Sequence, residues 1–287
     1  ANLDQFIFGR YPVEERWRVV ATFMLGVAGL APMLIPALPA KRWNAIFLVV
    51  AYPMIAIVLL AGDRPGLAGV DTGMWGGLLV TLVVAVTGIV ASFPLGILLA
   101  LGRRSELPAI RMLSIVFIEF WRGVPLVTVL FMASVMMPFF LPEGMTLDNL
   151  LRCLIGVALF SSAYMAEVVR GGLQAVPRGQ VEAARAVGLS YWRTMGLIVL
   201  PQALRHVIPG IVNTFIGLFK DTTLVLIVGI FDFLGQVRAQ LSDASWVTPQ
   251  GAATAYVFAA LVYWVFCFGM SRYSVFIERR LNTGRAR

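Results

Sequence analysis

The feature that most constrains this chain is a series of long segments that contain no charged residue. Five such segments are Val19–Ala40, Trp43–Gly62, Gly76–Leu101, Gly123–Pro142 and Ala244–Ser271. Each is about as long as a helix that crosses a bilayer, which needs roughly 20 apolar residues. The composition agrees, because 59% of the residues are hydrophobic and only 13% are charged. The sequence therefore predicts an all-α integral membrane protein.

Further apolar segments, interrupted by a few charges, bring the expected number of membrane spans to about seven. In chain order, the predicted spans are residues 17–39, 43–61, 76–101, 109–141, 150–175, 206–231 and 254–276. Prolines in the first two can kink a membrane helix without unfolding it. We expect these two helices to form a lipid-facing accessory hairpin.

The formal net charge of +8 could suggest a nucleic-acid partner, but the positions of the basic residues favour another explanation. If residues 76–101 run from outside to inside, fifteen Lys and Arg residues fall in inner segments and three in outer loops. This asymmetry is the positive-inside pattern of membrane proteins. It predicts a cytoplasmic C-terminus. It also leaves Ala1 outside, so we expect a further piece of chain before it, with room for one inside-to-outside helix.

A polar loop follows the fifth predicted span. Residues 180–201 carry Glu182, Arg185 and Arg193, so this loop is too polar to lie in lipid. Gly188 is expected to end a first helix, and Ser190 can cap a second helix that ends at Pro201. We interpret the loop as a docking surface for a second protein.

The loop resembles the EAA loop of bacterial ABC importer permeases. Glu182-Ala183-Ala184 is followed after three residues by Gly188, and after nine more by Ile198-x-Leu200-Pro201, so every position of the motif is filled. In that family the loop forms a coupling helix, here about Gly179 to Gly188, that inserts into a groove on the ATP-hydrolysing subunit. The resemblance implies coupling roles for Glu182, Ala183, Ala184, Arg185 and Gly188.

Three other stretches are similar to the polar amino-acid importer permeases within this family. They are Glu119–Leu126 (EFWRGVPL), Tyr164–Gly172 (YMAEVVRGG) and Lys220–Leu224 (KDTTL). Residues 231–234 and the extra hairpin resemble the general L-amino-acid and glutamate/aspartate permeases. Two positions depart from the pattern, because Val124 stands where Thr is common and Thr214 where Glu or Gln is frequent. The second departure leaves the substrate open.

The resemblance implies a type I ABC permease core of five helices. Residues 1–75 would form a tail and the accessory hairpin, 76–280 the core with its coupling loop at about 177–201, and 281–287 a cytoplasmic tail. The implied partners are a homologous or identical permease, two ATP-binding subunits, a periplasmic binding protein, membrane lipid and an amino acid. ATP and Mg²⁺ would bind the partner ATPase, so no cofactor or metal is expected in this chain of the bacterial inner membrane.

Charged residues inside the predicted spans are the candidates for a transport pathway, because such a residue costs about 2.5–3.5 kcal/mol on insertion scales. Lys220 and Asp221 lie mid-span, where they would either line a substrate path or clamp another helix or subunit. The predicted pathway residues are Glu119, Arg122, Asn213, Thr214, Leu218, Lys220, Asp221 and Thr222.

Two pairs of charges are spaced three residues apart on their helices. Glu119 with Arg122 could pair at the inner interface, at the start of a membrane helix. Alternatively, Gly123 and Pro125 indicate a helix that is kinked inside the membrane. Glu167 and Arg170 are expected to brace the coupling loop rather than to contact substrate. Alternative classes remain open: an ion-coupled secondary transporter that uses Lys220 and Asp221, or an interaction scaffold without a pathway.

The sequence offers no enzyme site. It contains no Gly-Lys pair for a phosphate-binding loop, a single histidine (His206) and two isolated cysteines. We therefore expect a transport subunit without catalytic or metal-binding residues.

Overall fold

The computed structural model describes residues 3–34, 41–63, 66–242 and 250–282, and these residues form helices and no strand. The helices are α1 (Leu3–Phe8), α2 (Arg16–Leu34), α3 (Lys41–Ile46), α4 (Tyr52–Ala61), α5 (Gly77–Arg103), α6 (Pro108–Gly123), α7 (Leu126–Phe131), α8 (Asn149–Ala175), α9 (Arg178–Ala186), α10 (Tyr191–Thr194), α11 (Leu200–Asp221), α12 (Phe233–Leu241) and α13 (Gly251–Asn282). The predicted all-α class is confirmed.

Several helices in the described residues are long and apolar enough to cross a membrane. Five do so alone, namely Trp43–Ala61, Gly77–Arg103, Asn149–Ala175, Tyr191–Val228 and Gly251–Arg279, and a bent pair would make a sixth. Helix α2 occupies the first of the seven predicted spans. The predicted end of that span, at residue 39, lies outside the described residues.

The fourth predicted span is bent rather than continuous. Pro108–Gly123 and the helical segment Leu126–Phe140 meet at an angle of 103°. Between them, Val124 is extended (φ −103°, ψ 132°), as expected for a residue that precedes proline. Pro125 then begins the next helix, where its missing N–H is not needed. The predicted kink is confirmed at this position.

The prediction that a separate helix ends at Pro201 is wrong. The chain is helical from Tyr191 to Val228, so the sixth span begins before residue 206. A π-helical turn at Met195–Val199 precedes the proline, and the N–H of Leu200 donates to the Met195 carbonyl. Pro201, which cannot donate a backbone hydrogen bond, therefore follows a π-helical turn within a continuous helix, and such a turn is a known way to accommodate a proline.

The core forms where α5, α8 and α11 pack against one another. Glycines allow the close approach, as in many membrane helix pairs. A Cβ atom on Gly96 of α5 would lie 2.6 Å from Met165 on α8. Similarly, a Cβ on Gly172 of α8 would lie 2.5 Å from the Ala203 carbonyl oxygen on α11. These contacts place the helices that follow and precede the polar loop side by side.

The N-terminal segment is fastened to the predicted outer end of the core. Phe6 is buried, and its ring lies 5.8 Å from that of Phe258 on α13. The Tyr11 hydroxyl donates to the Leu60 carbonyl at 2.8 Å, and the buried Arg18 donates to the Ala68 carbonyl at 2.7 Å. The hairpin of α2 to α4 is therefore tied to the core through its outer ends.

Candidate functional site: the coupling loop and the charged interior

The predicted turn in the polar loop is present at Gly188. The N–H of Leu189 donates to the Ala184 carbonyl at 3.1 Å, and that of Gly188 donates to the Arg185 carbonyl at 2.9 Å. This pair of bonds is a Schellman motif, which needs a left-handed residue after the helix. Gly188 supplies it with φ +77°. Helix α9 therefore ends where the sequence indicates, and the chain reverses into α10.

Most of the predicted coupling residues are exposed, but Ala184 is not. Glu182, Ala183 and Arg185 face solvent, whereas Ala184 is only 2% exposed. Ala184 therefore packs within the loop. Of the two alanines, only Ala183 is exposed and could allow a partner to approach closely. The Glu182 carboxylate makes no hydrogen bond or ion pair with any residue that the structure describes.

Large apolar side chains surround this helix end. Val187 is 76% exposed and Trp192 is 71% exposed. A side-chain bond between Gln202 and Gln180, at 3.1 Å, connects the loop to α11. Ser190 stands at the N-cap position of α10, as predicted, although its side chain makes no capping hydrogen bond there. The loop is thus an exposed surface held rigidly on the sixth span.

A cluster of five charged residues joins α5, α6 and α8 near their predicted inner ends. We call Arg103, Glu119, Arg122, Glu167 and Arg170 the inner charge cluster. Arg103 donates to Glu167 at 2.8 Å and to Glu119 at 2.9 Å. Arg170 donates twice to Glu167, at 2.9 and 2.7 Å, as the spacing of three residues predicts.

Glu167 is the centre of this cluster, with a side chain that is 15% exposed. Arg122 lies 3.8 Å from Glu167, and the pair with Glu119 that the spacing allows does not form. Glu119 instead forms an ion pair with Arg103, on another helix. Sequence reasoning does not identify Arg103 as part of this cluster, because its partners are 16 and 64 residues away.

The predicted pathway residues on α11 fall on two sides of the helix. Leu218 and Thr222 are buried, with exposures of 5% and 1%. Asn213, Lys220 and Asp221 are exposed. The side chains of Lys220 and Asp221 make no hydrogen bond or ion pair with the described residues. Charged groups on a membrane span usually face water or a partner, so we expect this exposed face of α11 to be covered by water or protein.

The threonines of this span bond to their own helix. Thr214 is half-buried and donates to the Gly210 carbonyl at 2.9 Å, while Thr222 donates to the Phe219 carbonyl at 2.8 Å. A short 3₁₀ segment, Thr222–Val228, then carries the chain to Gly229, where φ is +81°. The structure therefore does not bring Thr222 together with the exposed residues of α11.

A buried carboxylate, Asp232, connects α12 and α13 at the predicted outer ends of the helices. It accepts bonds from the N–H groups of Leu234 and Gly235 and, at 3.1 Å, from the Tyr263 hydroxyl. Burial raises the pKa of Asp232, although these bonds and Arg238 oppose the shift. Sequence reasoning noted this residue only within the Phe231–Leu234 resemblance, because the Tyr263 contact comes from a distant helix.

Comparison with known proteins decides the family. A family model described as "Binding-protein-dependent transport system inner membrane component" matches residues 92–283. This chain belongs to that family. The family is one of multi-pass inner-membrane transport components, and the complete EAA loop is typical of it.

Individual relatives extend the match to the N-terminal hairpin. The chain is 55% identical to the inner membrane amino-acid ABC transporter permease protein YhdY of Escherichia coli, over 99% of this chain and 77% of that protein. It is 43% identical to the glutamate/glutamine/aspartate/asparagine transport system permease protein BztC of Rhodobacter capsulatus, over 97% of this chain and 77% of that protein.

A solved structure supports the fold of the core. The crystal structure of an amino acid ABC transporter with histidines has a TM-score of 0.61 and 29% identity, and covers 71% of this chain and 92% of that one. These relatives favour an ABC importer permease. The ion-coupled secondary transporter receives no support from them and is not considered further.

Proposed function

We propose that this chain is the membrane-spanning permease subunit of an ATP-driven importer that moves polar L-amino acids into the cytoplasm. The observation that carries this function is the complete EAA loop, which forms an exposed helix with an unpaired Glu182 on a chain of this family. Relatives named as amino-acid permeases support the substrate class. The chain itself hydrolyses no ATP; ATP and Mg²⁺ bind the partner ATPase.

The assembly contains two permease subunits, homologous or identical, and two ATP-binding subunits. A periplasmic binding protein delivers the amino acid to the outer loops. The coupling loop, at about residues 177–201, and the C-terminal tail, residues 281–287, lie in the cytoplasm. Residues 1–75 are the tail and accessory hairpin, and residues 76–280 are the permease core.

Coupling follows from the rigid attachment of the loop to the sixth span. When ATP closes the ATPase dimer, α9 moves with the subunit that it touches, and Glu182 and Ala183 form the contact. Because the chain is helical from Tyr191 to Val228, a displacement of the loop moves the membrane helix as well. The membrane helices then rock between inward-open and outward-open states, whose populations the nucleotide shifts.

The exposed face of α11 contributes to the pathway. Asn213 and Lys220 are seven residues apart, so they lie on the same side of the helix, and Asp221 lies beside them. This face either contacts the amino acid or meets the second permease subunit. Leu218 and Thr222 support it from the buried side.

Reconstitution tests the function. The chain is assembled with its ATP-binding subunits and permease partner in liposomes, and amino-acid uptake is measured with the binding protein present. We expect uptake that requires ATP, the ATP-binding subunits and the binding protein together. Uptake driven by an ion gradient without the ATP-binding subunits would contradict the proposal.

A further inference from the structure

We propose that Arg122 binds the carboxylate of the transported amino acid on its way to the cytoplasm, with Glu119 receiving the ammonium group. The inference rests on the proposed transport function. It adds a binding site at the inner charge cluster, away from the exposed face of α11.

The first argument is the charge balance of the cluster. It holds three guanidinium groups and two carboxylates, so one positive charge is in excess. Glu167 already accepts bonds from Arg103 and Arg170 at 2.7 to 2.9 Å. Arg122 stands farther away, at 3.8 Å, and its guanidinium donates no hydrogen bond to any residue that the structure describes.

The second argument is the geometry of the Arg122 guanidinium. A guanidinium presents its N–H donors as a planar fork that matches a carboxylate with two parallel bonds. The Arg122 guanidinium lies 5.7 Å from the centre of the Tyr164 ring, a cation–π contact that holds its position. An oriented fork without an acceptor is suited to a carboxylate ligand.

The third argument is the open space beside Arg122. The helix breaks at the next residues, where Val124 is extended and the chain turns by 103°. Non-helical backbone at membrane depth is tolerated where it is buried in protein or lines a water-filled cavity. Gly123 is exposed, and a Cβ atom there would meet no described atom within 4 Å, so the side of α6 next to Arg122 is open at the break.

Glu119 supplies an acceptor for the ammonium group of a zwitterionic ligand. It precedes Arg122 by three residues on α6, so both side chains project from neighbouring positions of one face. One Glu119 oxygen accepts from Arg103, and the side chain is 54% exposed. The other oxygen accepts no hydrogen bond within the described part of the chain. An amino acid therefore finds an acceptor for its ammonium beside the donor for its carboxylate.

The test uses the complete transporter, with its permease partner and ATP-binding subunits, in nucleotide-free nanodiscs of phosphatidylcholine without binding protein. Radiolabelled L-glutamine and L-glutaminamide, which lacks the carboxylate, are the probes. We expect Arg122→Gln to weaken glutamine binding by about tenfold or more and to leave glutaminamide binding unchanged, since a hydrogen bond to a charged group is lost. Arg122→Lys should retain part of the affinity, because the charge remains and the fork is lost.

Arg111→Gln is the matched control, because Arg111 is exposed on the same helix and outside the cluster. It should change neither affinity. Equal glutamine binding by wild type and Arg122→Gln, or no binding by the wild type, would overturn the proposal. So would an equal loss of both probes, which indicates a structural role.

A phosphate headgroup could also meet this guanidinium, and a second set of nanodiscs separates the two ligands. If added phosphatidylglycerol displaces glutamine from the wild type but not from Arg122→Gln, the site belongs to lipid and the proposal fails. Uptake by the same complex in liposomes keeps the functions distinct. If uptake requires ATP but Arg122→Gln binds glutamine as the wild type does, only this site is refuted. If uptake does not require the ATP-binding subunits, the proposed function itself is refuted.

Discussion

At the scale of single residues, the important distinction is between charges that are satisfied within this chain and charges that are not. Glu167 accepts hydrogen bonds from two arginines on two helices, so its charge is satisfied within this subunit. Glu182 is exposed and has no acceptor or donor partner among the described residues. The first residue is therefore expected to affect stability, and the second to affect association with a partner.

Replacing Glu182 by Lys should lower uptake and ATPase association while leaving membrane insertion intact. The substitution reverses a charge on the exposed helix that we propose meets the ATPase, and a charge that no longer complements the partner is costly at an interface. Co-purification of the ATP-binding subunit and uptake in liposomes measure the two effects. Glu106→Lys, an exposed charge in the loop before α6, is the control and should change neither. Normal co-purification of the Glu182 variant would remove the docking role.

Replacing Glu167 by Gln should destabilise the protein far more than replacing Glu119 by Gln. Breaking a buried ion pair costs about 3–5 kcal/mol of stability. The cost here is expected at the lower end of that range, because the Glu167 side chain is 15% exposed. Glu119 is 54% exposed and forms one pair, which is worth about 0–1 kcal/mol. Thermal unfolding of the two purified variants measures the difference, and equal midpoints would contradict the central role of Glu167.

At the scale of helices, the sequence predicts features with a local cause and misses those set by distant packing. The turn at Gly188 was predictable, because a glycine after a short helix commonly supplies the left-handed residue. The continuation through Pro201 was not predicted, since a proline usually ends a helix and a π-helical turn accommodates this one. Similar turns at Phe47–Ala51 and Met132–Met136 also end two residues before a proline. The pairing of Arg103 with Glu167 depends on how α5 packs on α8.

Adjacent glycines on α8 provide a test of that packing. A Cβ on Gly172 would lie 2.5 Å from a backbone oxygen of α11, whereas a Cβ on Gly171 would meet nothing within 4 Å. Gly172→Ala should therefore push α8 and α11 apart and lower the unfolding temperature. Gly171→Ala should be neutral or stabilising, because alanine is better than glycine in a helix by about 1 kcal/mol. A similar response of the two variants would show that the close approach is unimportant.

At the scale of the whole molecule, the outer and inner ends of the bundle are held in different ways. The predicted outer end is fixed by apolar packing, by the ion pairs Arg16–Asp4 and Arg18–Glu15, and by Asp232, which accepts bonds from its own helix and from Tyr263 on α13. The inner end is held by the inner charge cluster and carries the exposed coupling loop. Among the described residues, ion pairs join the core helices α5, α6 and α8 at the predicted inner end, whereas the ion pairs at the predicted outer end lie in the N-terminal segment and the start of α2.

This assignment of ends depends on the orientation of the core, which single cysteines can test. In a variant without Cys153 and Cys267, Glu106→Cys reports on the predicted inner loop and Glu143→Cys on the predicted outer loop; both positions are exposed. Because basic residues favour the cytoplasmic side, a membrane-impermeant thiol reagent should label Cys at 143 in intact spheroplasts and Cys at 106 only in inverted vesicles. The reverse pattern would place the Glu182 loop outside, where no ATP-hydrolysing partner can reach it. Coupling through that loop would then be impossible, whatever the family of the chain.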